Sequence, residues 1–201
     1  MKHTRLLFAT LILSLSTAVS LFADAAAPVE ETMRKNSIKI RGAAFYPQGS
    51  LTRKIYGNFW PEGSIEYDYQ FFRHWAVFAN GAVTHKSGHS VGVGHKTRIT
   101  LVPTTVGINA KIGGSSWFHP YLGIGVGAAY VHFFNDSDFI PKHTHKWGFA
   151  SFYQAGMEFD VNKWFFVDVL AAYRFNWFGF NNMSHRQTGG LDLGAGLGFR
   201  F

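Results

Sequence analysis

Bulky apolar residues alternate with small or polar residues through most of the chain from about residue 36 onward. The pattern is clearest over residues 191–201, where odd positions carry only Leu, Ala and Phe and even positions carry only Asp, Gly and Arg. Successive side chains of a β-strand point to opposite faces, whereas an amphipathic helix repeats about every 3.6 residues. The period of two therefore predicts strands.

Seven further segments follow the same pattern, and together with the last one they predict eight strands: residues 37–46, 64–71, 75–84, 98–112, 122–130, 147–159, 165–177 and 191–201. Pro103 interrupts the fourth segment and predicts a bulge or a kink. Long connections near residues 47–60, 85–97, 133–146 and 177–188 alternate with short ones near 72–74, 113–118 and 160–163. An even strand number with alternating long and short connections is typical of bacterial outer-membrane barrels.

The direction of the bulky face separates two kinds of barrel. A soluble barrel such as a lipocalin would place its large residues inside. In this chain the bulky face opposes Gly, Ala and charged residues, so we expect it to face lipid, with the small residues in a narrow lumen. The prediction is an all-β fold, a closed eight-stranded antiparallel up-and-down transmembrane β-barrel, with both termini in the periplasm.

The N-terminus predicts export. Lys2 and Arg5 precede an apolar run at residues 6–15, and small residues follow at 23–27, which is the pattern of a secretory signal peptide. A retained helical anchor is the alternative, but the apolar run is shorter than the roughly 20 residues of a bilayer span. We expect a signal peptide at residues 1–25, cleaved between residues 20 and 27, and one barrel domain at 36–201.

A family resemblance is carried by residues 117–130, WFHPYLGIGVGAAY, which resemble the F-x-P-Y-x-G-x-G segment of the OmpW family of small outer-membrane barrels. Residues 39–47, 102–105 and 146–161 resemble other strands of that family in the same order. Gly196, Phe199 and Phe201 resemble the C-terminal assembly signal of outer-membrane barrels, which implies periplasmic chaperones and the barrel-assembly machinery as partners. The resemblance implies a narrow pathway for small hydrophobic molecules without a cofactor. Opacity-protein and OmpA-like barrels remain alternatives.

Charged residues of the inward face predict an ion-pair network. Five cations, Lys39, Arg41, Lys111, Arg174 and Arg200, share that face with five anions, Glu66, Asp68, Glu158, Asp168 and Asp192. Unpaired charges in a narrow lumen would be costly, whereas matched ones can pair. We expect the network to close the periplasmic half of the lumen, so that a ligand entering from outside leaves sideways into the bilayer. The alternative is a solid barrel whose polar filling only holds the strand register.

The predicted external loops are basic, in a chain with a formal net charge of +7. They hold Arg53, Lys54, His85, Lys86, His89, His95, Lys96, Lys142, His143, His145, Lys146, His185 and Arg186. Because an exported protein does not meet nucleic acid, we expect lipopolysaccharide phosphates or a host surface as anionic partners, beside outer-membrane lipid. A merely solvated basic rim is the alternative.

Two groups of residues suggest chemistry without establishing it. His143 and His145 form an H-x-H pair that suits zinc or copper, but the chain has no Cys, and separate loops would have to converge to add ligands. Ser184 and His185 with Asp192 suggest a lipid-modifying hydrolase, but neighbouring strand residues point to opposite faces. We therefore predict no metal site and no enzyme. The two functional hypotheses are an OmpW-like pathway and a structural or adhesion barrel.

Overall fold

The computed structural model describes residues 34–90, 95–112, 117–136, 142–180 and 183–201, and the side chains within these ranges except those of 179–187. The predicted signal peptide and its cleavage region lie outside the described residues. Among the residues described, no helix is both long and apolar enough to cross a membrane.

A single sheet closes on itself. Its elements in chain order are β1 Asn36–Pro47, α1 Ser50–Tyr56, β2 Trp60–Phe72, β3 Trp75–His89, β4 Lys96–Lys111, β5 Phe118–Asn135, β6 His143–Asp160, β7 Phe165–Phe180, β8 Met183–Gln187 and β9 Gly190–Arg200. Consecutive strands from β1 to β7 pair antiparallel, and β9 pairs with both β7 and β1. The short β8 continues the register of β9 along β7, so the two form one eighth strand. The predicted closed eight-stranded antiparallel barrel is confirmed.

The barrel has two unlike ends. At the terminal end, as we name it, lie both ends of the described chain and the short connections, and the Asn36 N–H donates to the Phe201 carbonyl at 3.2 Å. At the opposite end, the loop end, lie α1 and the longer connections. Because strand pairing fixes this arrangement, a residue's position along its strand gives its level between the two ends.

Strands extend further toward the loop end than the sequence predicted. β3 continues to His89, β4 already begins at Lys96, β5 ends at Asn135 and β6 begins at His143. Most of the residues that the structure describes in the predicted loops at 85–97, 133–146 and 177–188 are therefore strand. Backbone pairing does not depend on alternating apolar side chains, so strands continue where the period of two disappears.

The predicted location of the basic residues in external loops is corrected accordingly. Arg53 and Lys54 lie on α1, and His95 and Lys142 lie immediately before strands. The remaining residues lie on strands: His85, Lys86 and His89 on β3, Lys96 on β4, His143, His145 and Lys146 on β6, and His185 and Arg186 on β8, where side chains are outside the description.

The predicted bulge at Pro103 is wrong. Pro103 pairs with Ala129 in an unbroken β4–β5 register, and the β3–β4 register is the same before and after Pro103. Instead, the β3–β4 ladder lacks pairs between residues 82–83 and 102–103. Proline has no N–H to donate, so it weakens the ladder locally without inserting a residue.

The outer surface is an aliphatic band with aromatic residues toward both ends. Exposed residues of the band are Ile40, Ile65, Val106, Ile108, Leu122, Ile124, Val126, Leu193 and Leu197. Exposed rings lie toward the terminal end at Trp117, Trp164, Phe165, Phe199 and Phe201, and toward the loop end at Trp147, Phe149 and Trp177. An apolar band between two aromatic girdles is the surface of a transmembrane barrel, so the bulky face meets lipid.

Candidate functional site

Strand parity directs charged residues of six strands into the lumen near the terminal end. We call them the terminal-end network: Lys39, Arg41, Glu66, Asp68, Lys111, Glu158, Asp160, Asp168 and Arg200. At its centre the Lys39 Nζ lies 3.1 Å from Glu66, 2.9 Å from Asp68 and 3.0 Å from Glu158. Lys39 is 1% exposed, so its charge is balanced almost wholly by these carboxylates.

Arg41 links Glu66 to one further carboxylate, that of Asp168. Its Nη1 and Nη2 donate to the two Glu66 oxygens at 3.0 Å each, and its Nε donates to Asp168. The Tyr121 hydroxyl accepts from Arg41 Nη2 at 3.1 Å and donates to Asp168 at 2.9 Å. Two forked bonds to a carboxylate hold the guanidinium in one orientation. Tyr121 was not predicted, because an uncharged aromatic residue on the inward face does not by itself indicate an ion-pair network.

Asparagine and glutamine extend the network across the lumen. Asn109 Nδ2 donates to Asp68 at 2.8 Å, and Gln154 Nε2 donates to Asn109 Oδ1 at 2.8 Å. Nearer the terminal end, Arg200 bonds Glu158 at 2.8 Å and Asp160 at 2.6 Å, and Lys111 lies 3.3 Å from Glu158. Lys111 and Arg200 are part-exposed, so this layer is the water-facing side of the network.

Arg174 and Asp192 lie apart from the other eight predicted charges. Arg174 donates to both Glu62 oxygens at 2.9 and 3.0 Å and lies 3.1 Å from Asp192. These three residues form what we call the middle cluster, with the Phe152 ring 5.3 Å from the guanidinium. Glu62 and Asp160 escaped prediction because they fell just outside the predicted strands. Asp192 faces Arg174, which argues against the acid role considered with Ser184 and His185.

Aromatic side chains also enter the lumen, which corrects the expectation of an interior filled by small residues and charges. A loop-end apolar cluster contains Phe45, Tyr56, Trp60, Ile99, Leu101, Ala129, Val131, Ala150 and Phe178, with Ile55 and Phe133 partly buried against it. The Trp60 ring contacts Phe45 and Tyr56 edge to face, at centroid distances of 5.5 and 5.6 Å. The cluster occupies the lumen between the middle cluster and α1.

Glycine makes room for three other lumenal rings, those of Phe78, Tyr121 and Phe166. A Cβ at Gly125 would collide with the Phe78 ring, one at Gly156 with Tyr121, and one at Gly198 with Phe166. Each pair joins residues far apart in sequence. These inward glycines therefore each leave space for a ring from another strand.

The residues of the C-terminal assembly signal lie on β9 and just beyond it. Phe199 packs on the outer face against Phe165 and Trp164, at centroid distances of 5.1 and 5.9 Å. The Phe201 ring contacts the Phe199 ring at a centroid distance of 6.0 Å. A Cβ at Gly196 would collide with Arg41. Gly196 thus borders the network, whereas both phenylalanines belong to the outer aromatic girdle. Their role in assembly stays a prediction.

Removing the Tyr121 hydroxyl tests how tightly the network is built. Tyr121→Phe is expected to lower the free energy of unfolding by about 1–3 kcal/mol, because a buried donor and acceptor lose their shared partner. Urea unfolding of the refolded protein measures the change. Tyr153→Phe, at an exposed ring of the outer face, is the matched control and should change little. Equal effects of the two substitutions would contradict the assignment.

Comparisons with known proteins address the fold. No family model and no curated protein sequence matches the chain. Among solved structures, OprG of Pseudomonas aeruginosa aligns with a TM-score of 0.57 at 19% identity, covering 84% of this chain and 97% of that one. Neisserial surface protein A aligns with a TM-score of 0.55 at 15% identity, covering 83% and 97%. Outer membrane protein W of E. coli aligns with a TM-score of 0.52 at 18% identity, covering 86% and 100%.

These similarities extend over nearly the whole length of each neighbour. Because the sequence identities are low, the similarities support a common fold and nothing more. They agree with the closed antiparallel sheet. The expected resemblance of the fold to OmpW is confirmed, and the chain has the fold of the small eight-stranded outer-membrane β-barrels.

Proposed function

We propose that this protein is an integral barrel of the bacterial outer membrane that admits small hydrophobic molecules at its loop end and releases them sideways into the bilayer. The loop end faces outward in this proposal, and both termini face the periplasm, as is usual for barrels with short periplasmic turns. The observation that carries the proposal is an apolar cluster in the loop-end half of a lumen whose other half is filled by paired charges.

The apolar cluster is chemically suited to a hydrophobic solute. The cluster consists of aliphatic and aromatic side chains, and apolar surface that leaves water contributes about 25 cal/mol per Å². α1 covers this region, since Tyr56 is buried against Trp60 and Ile55 packs against the cluster. Entry therefore requires a displacement of α1, whose C-terminal end is followed by Gly57 at a φ of +83°.

The terminal-end network disfavours passage straight through the barrel. Lys39, Arg41 and Glu66 have almost no exposure, and each bonds at least two partners. A solute crossing this layer would have to separate buried ion pairs, and loss of one partner of such a pair costs about 3–5 kcal/mol. A solute held above the network therefore has an easier route sideways.

The β3–β4 seam offers such a route. The ladder lacks pairs beside Pro103, at the level of the apolar cluster, because Pro103 pairs with Ala129 and follows Leu101 by two residues. Fewer backbone hydrogen bonds have to break there for β3 and β4 to separate. This seam supports the proposed exit from the apolar cluster into lipid.

Uptake measurements test the proposal. Cells that produce the protein should take up the hydrophobic probe N-phenylnaphthylamine faster than vector controls, and Trp60→Ala should raise the rate further because it opens the apolar cluster. Phe59→Ala, at an adjacent aromatic residue that is 61% exposed outside the lumen, should leave uptake unchanged. In planar bilayers we expect no large ohmic conductance. Uptake equal to the vector control, or a large steady conductance, would contradict the proposal.

A second candidate function is an interaction barrel that binds anions on its outer loop-end surface. Lys96 and Arg98 lie on the exposed face of β4 there, above the aromatic girdle. The attachment invasion locus protein Ail of Yersinia pestis, similar in fold with a TM-score of 0.50 at 19% identity, was crystallised with a heparin analogue. If Lys96→Glu with Arg98→Glu abolishes binding to lipopolysaccharide while probe uptake stays unchanged, the interaction function holds independently of the pathway.

A further inference from the structure

Three histidines share one outward face at the loop end of the β5–β6 hairpin. His132 on β5 is the direct cross-strand partner of His145 on β6. His143 lies two residues before His145, so both point to the same side of β6. No metal site was predicted because separate loops would have had to converge, but the strand register places these three imidazoles on neighbouring strands.

The distance between two of the rings suits a metal ion. His132 Nε2 lies 3.3 Å from His143 Nδ1, within hydrogen-bond distance, and the two rings are stacked with their centroids 5.5 Å apart. Two imidazole nitrogens bound to one tetrahedral Zn²⁺, each at about 2.0–2.1 Å, are about 3.3–3.4 Å apart. The nitrogens therefore already have the separation that a shared zinc ion requires.

The third histidine is within reach. Side chains of direct cross-strand partners start about 4.5–5.5 Å apart at Cβ, so rotation of the His145 side chain can bring its ring toward His132. Within the described ranges, no three metal-binding side chains are already gathered. Rotation of the His145 side chain, with reorientation of the other two rings, would thus complete the site.

The surroundings leave the site open to water. Immediately toward the membrane, Tyr130 and Trp147 form an aromatic pair with centroids 5.1 Å apart, which marks the girdle level. Phe134 packs against His143 at 5.1 Å, and the Arg98 guanidinium lies 5.9 Å from the Phe134 ring. The histidines therefore lie in the hydrated region beyond the girdle, with one side sheltered by an aromatic ring.

We propose that His132, His143 and His145 bind a divalent transition metal ion of the zinc or copper class, with water at the remaining position. Imidazole is the ligand these ions share, and no thiolate is needed. The ion would join β5 to β6 beyond the membrane. This site is independent of the proposed pathway, because none of its residues lines the lumen.

Zinc titration tests the proposal. Tag-free, folded protein in detergent should bind one Zn²⁺ per chain in isothermal titration calorimetry. Loss of an outer-shell partner already weakens metal affinity by about 10–100-fold, so His132→Ala, His143→Ala and His145→Ala should each weaken it by about that much or more. The matched control is His85→Ala, on β3, whose ring instead contacts the Thr100 hydroxyl at 2.9 Å. It should leave the affinity unchanged.

Two results would overturn the site. One is unchanged affinity in a variant that lacks all three histidines. The other is a loss in His85→Ala as large as in His143→Ala, which would mean that zinc binds surface histidines without selection. Because all four residues are surface histidines outside the lumen, we expect every variant to fold, and heat-dependent gel mobility of the barrel verifies this before titration.

Discussion

Arg41→Met is expected to lower the free energy of unfolding by about 3–5 kcal/mol. The guanidinium bonds Glu66 and Asp168, which are both fully buried, and its removal leaves these two buried carboxylates with less compensating charge. Methionine keeps most of the side-chain volume, so the effect reports charge rather than packing. Urea unfolding of the protein in phospholipid vesicles, followed by tryptophan fluorescence, measures it.

Two further variants make this result specific. Arg98→Met removes the same group from the exposed face of β4, where a charge contributes about 1 kcal/mol or less. Adding Glu66→Gln to Arg41→Met removes one of the uncompensated charges and should recover part of the loss. If Arg41→Met behaved like Arg98→Met, the terminal-end network would not hold the barrel together, and its role as a barrier would lose its basis.

Ile124→Arg is expected to destabilise the barrel by about 2–4 kcal/mol, because it places a charge at the bilayer midplane. Ile124 is 54% exposed and lies between Ile108 and Tyr153 on the neighbouring strands, halfway along the aliphatic band. The same unfolding experiment in vesicles measures the change.

The matched control places the same charge outside the band. Ser87 is exposed on β3 toward the loop end, opposite Arg98, beyond the aromatic girdle. Ser87→Arg should cost about 0–1 kcal/mol, since the penalty falls toward the interface. A small effect at both positions would mean that Ile124 does not face hydrocarbon.

The membrane-spanning part of the fold was predictable because lipid requires apolar residues on the outer face, so that they alternate along each strand with the small or polar residues of the lumen. The Ile40 side chain lies on the outer face of the barrel, whereas Lys39 and Arg41 lie in the lumen. The alternation of apolar and charged residues in β1 predicts this difference. Parity alone identified eight of the nine charged residues of the terminal-end network, all except Asp160. Which carboxylate each cation bonds was not predictable, because it depends on the stagger between strands.

Two features were beyond such reasoning for separate physical reasons. The loop-end parts of β3 to β6 have water on their outer side, so residues such as His89, Lys96 and His143 carry no alternation to signal a strand. The lumenal rings depend on pairs such as Phe78 with Gly125, whose members are far apart in sequence. A single strand shows only a glycine or a phenylalanine, and the space for the ring appears when strands are placed side by side.

The central claim is that the bulky face touches lipid while the opposite face fills the lumen, and neighbouring alanines test it without any substitution. Ala128 and Ala171 are exposed on the outer face, whereas Ala129 and Ala172 are buried inside, at 0% and 2% exposure. The measurement is the nuclear Overhauser effect between lipid acyl-chain protons and alanine methyl groups, with the protein in nanodiscs. We expect strong effects at Ala128 and Ala171 and none at Ala129 and Ala172. Equal effects within each pair, or stronger ones at the inner alanines, would contradict the claim.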